Sequence, residues 1–278
     1  MRIAVTGAGG GLGRAFLARG AAGHEVFPFS HEELAVEDSR AVMERLDAVR
    51  PDVVLHLAAM TSVDGCERDP EAAFRVNVRG TLNVAEAARA LDGLLVALST
   101  DYVFDGEKEE PYDELDDPNP LNAYGGSKLR AERAAAEIGV ELLVVRTSWV
   151  FGAPGEFVRR SVERLAAGED VGGIVDQTGT PTYAGHLAER LVPLIESGTR
   201  GVVHLAGPEP TTWFGVLARA RELGDLPGEV LEQKADELGR LAPRPRNSAL
   251  SSVVLPETEV PPMPPLDDAL REVLADVR

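Results

Sequence analysis

The chain has 278 residues, 44% of them hydrophobic and 27% charged, a balance that excludes an intrinsically disordered protein and suits one large α/β body carrying a smaller lobe. The formal net charge of −18 opposes attraction to phosphate backbones or anionic lipid, so nucleic acid and membranes are not expected partners.

Taken in chain order, short β-branched and apolar runs at 2–5, 25–29, 52–57, 94–99 and 141–145 predict strands. Longer amphipathic stretches at 11–22, 39–49, 69–90 and 123–138 predict the helices between them. This alternation is that of an α/β protein with a Rossmann-type, doubly wound parallel sheet, whose ligands sit beyond the carboxyl ends of the strands. After Trp149 prolines multiply, notably at 243–245 and 261–265, and break the rhythm. The main body is therefore expected over 1–150 and a smaller lobe mainly over 151–278, with a strand near 202–205 returning to the main sheet.

No stretch approaches the roughly 20 apolar residues that span a bilayer, and the first strand runs straight into a glycine loop where a signal peptide would carry its apolar core. Cys66 is the sole cysteine, so no internal disulfide is possible and a reducing cytoplasm is the simpler setting. Otherwise Cys66 reads as a small packing residue.

The loop Thr6-Gly7-Ala8-Gly9-Gly10-Gly11-Leu12-Gly13 follows the first strand and opens a helix, with glycines at 7, 10 and 13. A tight turn brings backbone N–H groups close to a pyrophosphate, and the helix aims the positive end of its dipole at the same anion. Residues 1–150 thus read as a dinucleotide-binding domain. Leu57, Ala58, Ala59 and Thr61, after the third strand, join Gly7, Gly10, Gly11, Leu12 and Gly13 as candidates lining that site. At the end of the second strand, where an acid selects NAD and a basic side chain accepts the 2′-phosphate of NADP, stand Ser30 and His31. Neither decides the choice, and NADPH and NADH both stay open.

Tyr124 and Lys128 are four residues apart, so a phenol and an ammonium project from one helix face. A neighbouring cation stabilises phenolate and is expected to lower the ordinary phenol pKa of about 10. Thr100, at the end of the fourth strand, offers a hydroxyl that can hold a substrate carbonyl for hydride attack. A Tyr-x-x-x-Lys pair alone is often just an exposed helical pair. Following a phosphate loop and a strand-end hydroxyl in this chain order, it is what a hydride-transferring site requires.

With Ser99-Thr100-Asp101-Tyr102-Val103-Phe104-Asp105-Gly106 the chain resembles the dTDP-4-dehydrorhamnose reductase family of extended short-chain dehydrogenases/reductases, from Met1 almost to the end. Further matches are residues 58–67, Asn77-Val78, residues 146–151, residues 176–182 and Arg244-Pro245-Arg246-Asn247-Ser248. The resemblance implies reduction of the C4 ketone of dTDP-4-dehydro-L-rhamnose by NAD(P)H, giving dTDP-L-rhamnose for polysaccharide biosynthesis. By the same analogy Tyr124 donates the proton, Thr100 and Lys128 complete a catalytic set, and Tyr102, Trp149, Gln177 and Arg244 bind the substrate. The plainer alternative for Trp149 is core packing, and for Arg244, between prolines, a solvated loop cation.

The chain departs from the family pattern at Ala35, where relatives place an Asp near the adenine, and at Ala15, where some carry a Glu for a metal-bridged dimer. Magnesium and that dimer are therefore not carried over, and monomer and homodimer both stay open. The histidines at 24, 31, 56, 186 and 204 form no His-x-x-x-His pair, so no metal is expected. Three other readings share the motifs: a dTDP-glucose 4,6-dehydratase, a sugar epimerase, and a non-catalytic NADP-binding regulatory subunit of methionine adenosyltransferase. The first is disfavoured by Asp101-Tyr102, which lacks the second carboxylate of its Asp-Glu pair, and the last by the intact Thr100, Tyr124 and Lys128.

Overall fold

The structure, a computed structural model, describes residues 1–277. Uninterrupted apolar runs make strands that can be covered on both faces, and here they form the sheet. In chain order, β1 (Arg2–Thr6) leads through the glycine turn into α1 (Gly11–Ala15), a π-helical stretch over Phe16–Gly20 and β2 (Glu25–Phe29). Next come α2 (Ser39–Val49), β3 (Val53–His56), α3 (Val63–Arg68), α4 (Pro70–Ala73), a second π stretch (Phe74–Arg79), α5 (Gly80–Ala90) and β4 (Leu94–Thr100). After α6 (Ala123–Ile138) and β5 (Leu142–Thr147) the elements shorten: β6 (Val150–Phe151), α7 (Phe157–Ala166), β7 (Val171–Ile174) and β8 (Thr182–Tyr183). The chain ends with α8 (Ala184–Glu196), β9 (Gly201–His204), α9 (Trp213–Gly224), β10 (Val230–Gln233) and α10 (Leu266–Val277).

Six strands form one parallel sheet in the order β2-β1-β3-β4-β5-β9. Successive strands leave β1 in opposite directions, so a crevice opens at the carboxyl ends of β1 and β3, where such folds hold their ligands. One face buries Ile3, Val5, Val96 and Val145 against Leu187 and Leu191 of α8. The other buries Ala4, Val54 and Leu95 against Val42 and Leu46 of α2 and Val84 of α5. Thus α8, as well as β9, belongs with the main sheet although both fall late in the chain. A separate core of Val158, Val162, Leu217, Leu270 and Val273 joins α7, α9 and α10 beside two small parallel pairs, β10-β7 and β6-β8.

The predicted helix over 69–90 is divided, and a further helix, α3, precedes it. Asp69 has φ −134° and ψ 78°, outside the helical region, and its carboxylate accepts from the Ala72 N–H to start α4 at Pro70. The predicted helix over 11–22 gives way after Ala15 to π geometry ending at Gly20, where a Cβ would lie 2.5 Å from the Ala188 carbonyl oxygen. α2 and α6 have their predicted bounds because each has its own start signal: Asp38 accepts from Arg40 and Ala41, and Asn122 from Gly125. α6 stops at Gly139, whose φ of 74° a non-glycine residue adopts only under strain.

Candidate active site

A cavity of about 1170 Å³ lies along the carboxyl edge of the sheet, reaching from the glycine turn past β4 to the smaller lobe. Its floor at one end is set by Gly7, whose φ is +70° and whose Cβ would lie 2.6 Å from the Ala58 amide nitrogen. The turn closes through Gly10 N–H donating to the Gly7 carbonyl at 3.0 Å, and Ala8 N–H ties it to Phe29 at the end of β2. Among the described residues no side chain caps α1, so its first N–H groups are free to meet an anion at this end of the cavity. The proposed cofactor residues Gly7, Gly10, Gly11, Leu12, Gly13, Ser30, His31, Leu57, Ala58, Ala59 and Thr61 all line this cavity.

Thr100 and Tyr124, with Lys128, line its middle. Thr100 ends β4 in register with Thr147 of β5, which places two hydroxyls at the same edge. Asn77 braces α6 from behind: its amide donates to Ser127 Oγ at 2.8 Å and to the Met60 carbonyl at 3.1 Å. Lys128 is 5% exposed, and burial draws its ammonium down to about 8, with Glu132 one turn away pulling the other way. His56 stays neutral, pushed down to about 3 by burial first and by Lys128 second, and it hydrogen-bonds Thr6 and Thr81.

The expected lowering of the Tyr124 phenol is not what the fold produces. Burial holds it above the ordinary value, the Thr100 hydroxyl acts in the opposite direction, and the Asp101 charge adds to the rise. Lys128 is not among the leading influences on it, whereas its charge does act on His56. The phenol is thus kept protonated, a donor and not a base.

Under the strand, Ser99 donates to Glu132, which is paired with Arg146 at 2.7 Å, both side chains less than a tenth exposed. Arg146 also approaches His204 of β9 at 3.4 Å. This network fixes β4, β5, β9 and α6 together below the reacting groups.

Aromatic groups line the far end. Tyr102 sits edge-on to Tyr124 with ring centroids 6.2 Å apart. Trp149, at φ +47°, stacks on Trp213 at 4.4 Å, and its buried indole N–H has no acceptor among the described residues. Thr147 Oγ1 is the other buried polar side-chain atom without a partner among the described residues, and it too belongs to a cavity-lining residue.

Gln177 and Arg244 are not among the lining residues. Gln177 is buried, in a segment whose neighbour Thr178 pairs with the 246–248 turn. Arg244 donates to Asp64 at 3.0 Å and to the Ala242 carbonyl at 2.8 Å. Burial raises the Tyr102 phenol, and Arg244 and Arg240 act in the opposite direction.

Sequence reasoning passed over Glu32, Asp101, Thr147, Glu156 and Trp213, all of which line the cavity. Thr147 could have been found as the end of the fifth strand. Trp213, in the smaller lobe, had no local signal.

A family model described as RmlD substrate binding domain matches residues 1–278. The dTDP-4-dehydrorhamnose reductase of Mycolicibacterium smegmatis is 36% identical over 99% of this chain and 86% of its own length. A probable dTDP-4,6-dihydroxy-2-methyloxan-3-one 4-ketoreductase of Streptomyces antibioticus is also 36% identical, over 100% of this chain and 96% of its own. The crystal structure of Bacillus anthracis dTDP-4-dehydrorhamnose reductase in complex with NADP superimposes with a TM-score of 0.94, 30% identity and 99% of each chain covered.

Proposed function

The chain belongs to the RmlD substrate binding domain family, and on that footing we propose that it reduces the C4 ketone of dTDP-4-dehydro-L-rhamnose to dTDP-L-rhamnose with NADPH or NADH. One observation carries the reading: a single cavity brings the glycine turn, Thr100, Tyr124, Lys128 and the aromatic wall within one ligand's reach.

The glycine turn fits a dinucleotide, since Cβ atoms at Gly7 and Gly13 would each approach backbone at 2.6 Å and fill the cradle. Gly7, Gly10, Gly11, Leu12 and Gly13 hold its diphosphate, Ser30 and His31 the adenosine ribose, and Leu57, Ala58, Ala59 and Thr61 the span between. A reduced nicotinamide bound there supplies the hydride. Lys128 holds the nicotinamide ribose, and its ammonium is retained below pH about 8.

Thr100 and Tyr124 meet the ketone oxygen. Tyr124, kept neutral by burial, donates its proton as negative charge develops. Tyr102 and Trp149 pack on the deoxysugar, an apolar ring edge against aromatic faces. Arg244 reaches the substrate through Tyr102, not directly, and Gln177 supports the lobe from within. Residues 151–278 contribute most of this sugar-binding lobe, and the lone buried thiol, Cys66, supports a cytoplasmic setting. Among the described residues, no helix is long and apolar enough to cross a membrane.

The relative from Streptomyces supports a second reading, in which the ketone belongs to another dTDP-linked deoxysugar. Incubation with dTDP-4-dehydro-L-rhamnose and each reduced dinucleotide separates the two: stoichiometric oxidation with dTDP-L-rhamnose as product supports the first. Reduction only of a different dTDP-4-ketosugar supports the second. Isomerised sugar without net oxidation would make the protein an epimerase.

A further inference from the structure

Asp101 lies between β4 and Tyr102 and is 2% exposed, yet among the described residues it makes no ion pair. Three hydroxyls surround it. Thr100 donates to Oδ1 at 3.0 Å, while Ser148 and Ser248 donate to Oδ2 at 3.0 and 2.5 Å. Ser148 follows β5, and Ser248 belongs to the turn after Arg244. Thr180 N–H also donates to Ser148 Oγ at 3.2 Å, so the 176–182 segment braces the same group. Three distant stretches of chain converge on one carboxyl group beside the reacting centre.

The Thr100 hydroxyl has a single proton. While Asp101 is ionised that proton goes to Oδ1, and Thr100 Oγ1 is left accepting from the Tyr102 N–H at 3.2 Å. In that state it has nothing to donate to a ketone oxygen. When Oδ1 is protonated, the acid donates to Oγ1 and the Thr100 proton is released towards the cavity, while Oδ2 still accepts from both serines.

We propose that Asp101 is a positioning residue for the reduction, its own proton deciding whether the Thr100 hydroxyl points at the substrate carbonyl or at the carboxylate. The inference rests on the placing of Thr100 and Tyr124 at the ketone, and it adds a third group that acts through Thr100.

The carboxyl group titrates where this matters. Burial raises it to about 6, against the stabilising hydroxyls of Ser248, Thr100 and Ser148. The titratable groups facing it are Tyr124 from α6 and Tyr102 from its own turn, and its charge raises both. Arg244 and Arg240 act on Tyr102, and Lys128 on His56. A substrate filling the cavity excludes more water and moves Asp101 further up, so the acid form dominates in the complex.

The test is the pH profile of kcat and kcat/KM for ketone reduction, at saturating dinucleotide, in wild type, Asp101→Asn, Ser248→Ala and Thr100→Val. Wild-type kcat/KM falls as pH rises through about 6, levelling off at about 10²-fold, the worth of one lost donor. In kcat the same limb lies at higher pH. An Asn amide, with its oxygen held by the two serines, donates to Thr100 at every pH, so Asp101→Asn lacks this limb while keeping the one near 8 that belongs to Lys128. Ser248→Ala removes a donor to the carboxylate and moves the limb up by about one pH unit.

Retention of the limb in Asp101→Asn, or an unmoved midpoint in Ser248→Ala, overturns the proposal. Should Asp101→Asn not fold, the Ser248→Ala midpoint decides alone. Thr100→Val keeps the two readings apart: unchanged turnover there defeats the placing of Thr100, whereas lowered turnover with the limb intact in Asp101→Asn defeats only the role of Asp101.

Discussion

Gly13→Ala tests whether the first turn of α1 is a binding surface. Position 13 lies in the first turn of α1, and a Cβ there would sit 2.6 Å from the Gly7 carbonyl oxygen and 2.7 Å from Ala8 Cα and O. All three are backbone atoms, so no side chain can swing aside. Restoring ordinary contact at 3.4 Å moves α1 and the loop apart by several tenths of an ångström. Overpacking of this kind costs about 1–3 kcal/mol. The displaced N–H groups are those assigned to the diphosphate, so the cost falls on dinucleotide affinity, which drops about tenfold to a hundredfold at 1.4 kcal/mol per decade. Titration of apo enzyme with NADPH, followed by nucleotide fluorescence, reads the change. Gly126→Ala is the control: it lies inside α6 with nothing within 4 Å of its Cβ position, and it stabilises by about 0.5–1 kcal/mol without altering affinity. Wild-type affinity in Gly13→Ala refutes the assignment of the cradle.

Two further outcomes follow from buried charge. Lys128 holds its proton less tightly in the fold, at about 8, than the 10.5 of an unfolded chain, so between those values the unfolded state binds more protons and stability rises with pH. Its burial therefore costs stability at neutral pH, and Lys128→Met raises apo-enzyme stability at pH 7 by about 3 kcal/mol. That gain shrinks from pH 8 to 10.5 in thermal melts, while turnover is lost. A melting temperature that falls at pH 7 contradicts this. Arg146→Met leaves Glu132, which accepts from Ser99, without its cation in the core, a loss of about 3–5 kcal/mol that the double substitution with Glu132→Met largely recovers. Additive losses in urea unfolding rule out that coupling.

The parts of the fold visible in the sequence are those set by local chemistry. The bounds of α2 and α6 follow from periodicity and are held by local caps, Asp38 and Asn122 at the starts and Gly139 at the end of α6, and the glycine turn needs only its own residues and the strand before it. Tyr124 and Lys128 share a face because helix geometry makes them do so. What stayed hidden depends on partners far along the chain. The Ser248 hydroxyl reaches Asp101 from 147 positions away, and Arg244 reaches Asp64 from 180. The Tyr124 phenol illustrates the same limit: spacing puts a cation on its helix face, but burial and the Asp101 charge outweigh it. Trp213 enters the cavity wall only because α9 packs against α7 and β7 and its indole stacks on Trp149.

Tyr124→Phe, assayed with dTDP-4-dehydro-L-rhamnose under saturating NAD(P)H, addresses the central claim most directly, since it removes one proton donor and leaves the ring in place. Turnover lower by about 10²-fold or more, with dinucleotide affinity unchanged, is the predicted result. Turnover equal to wild type would show that the ketone takes its proton elsewhere and would contradict the account.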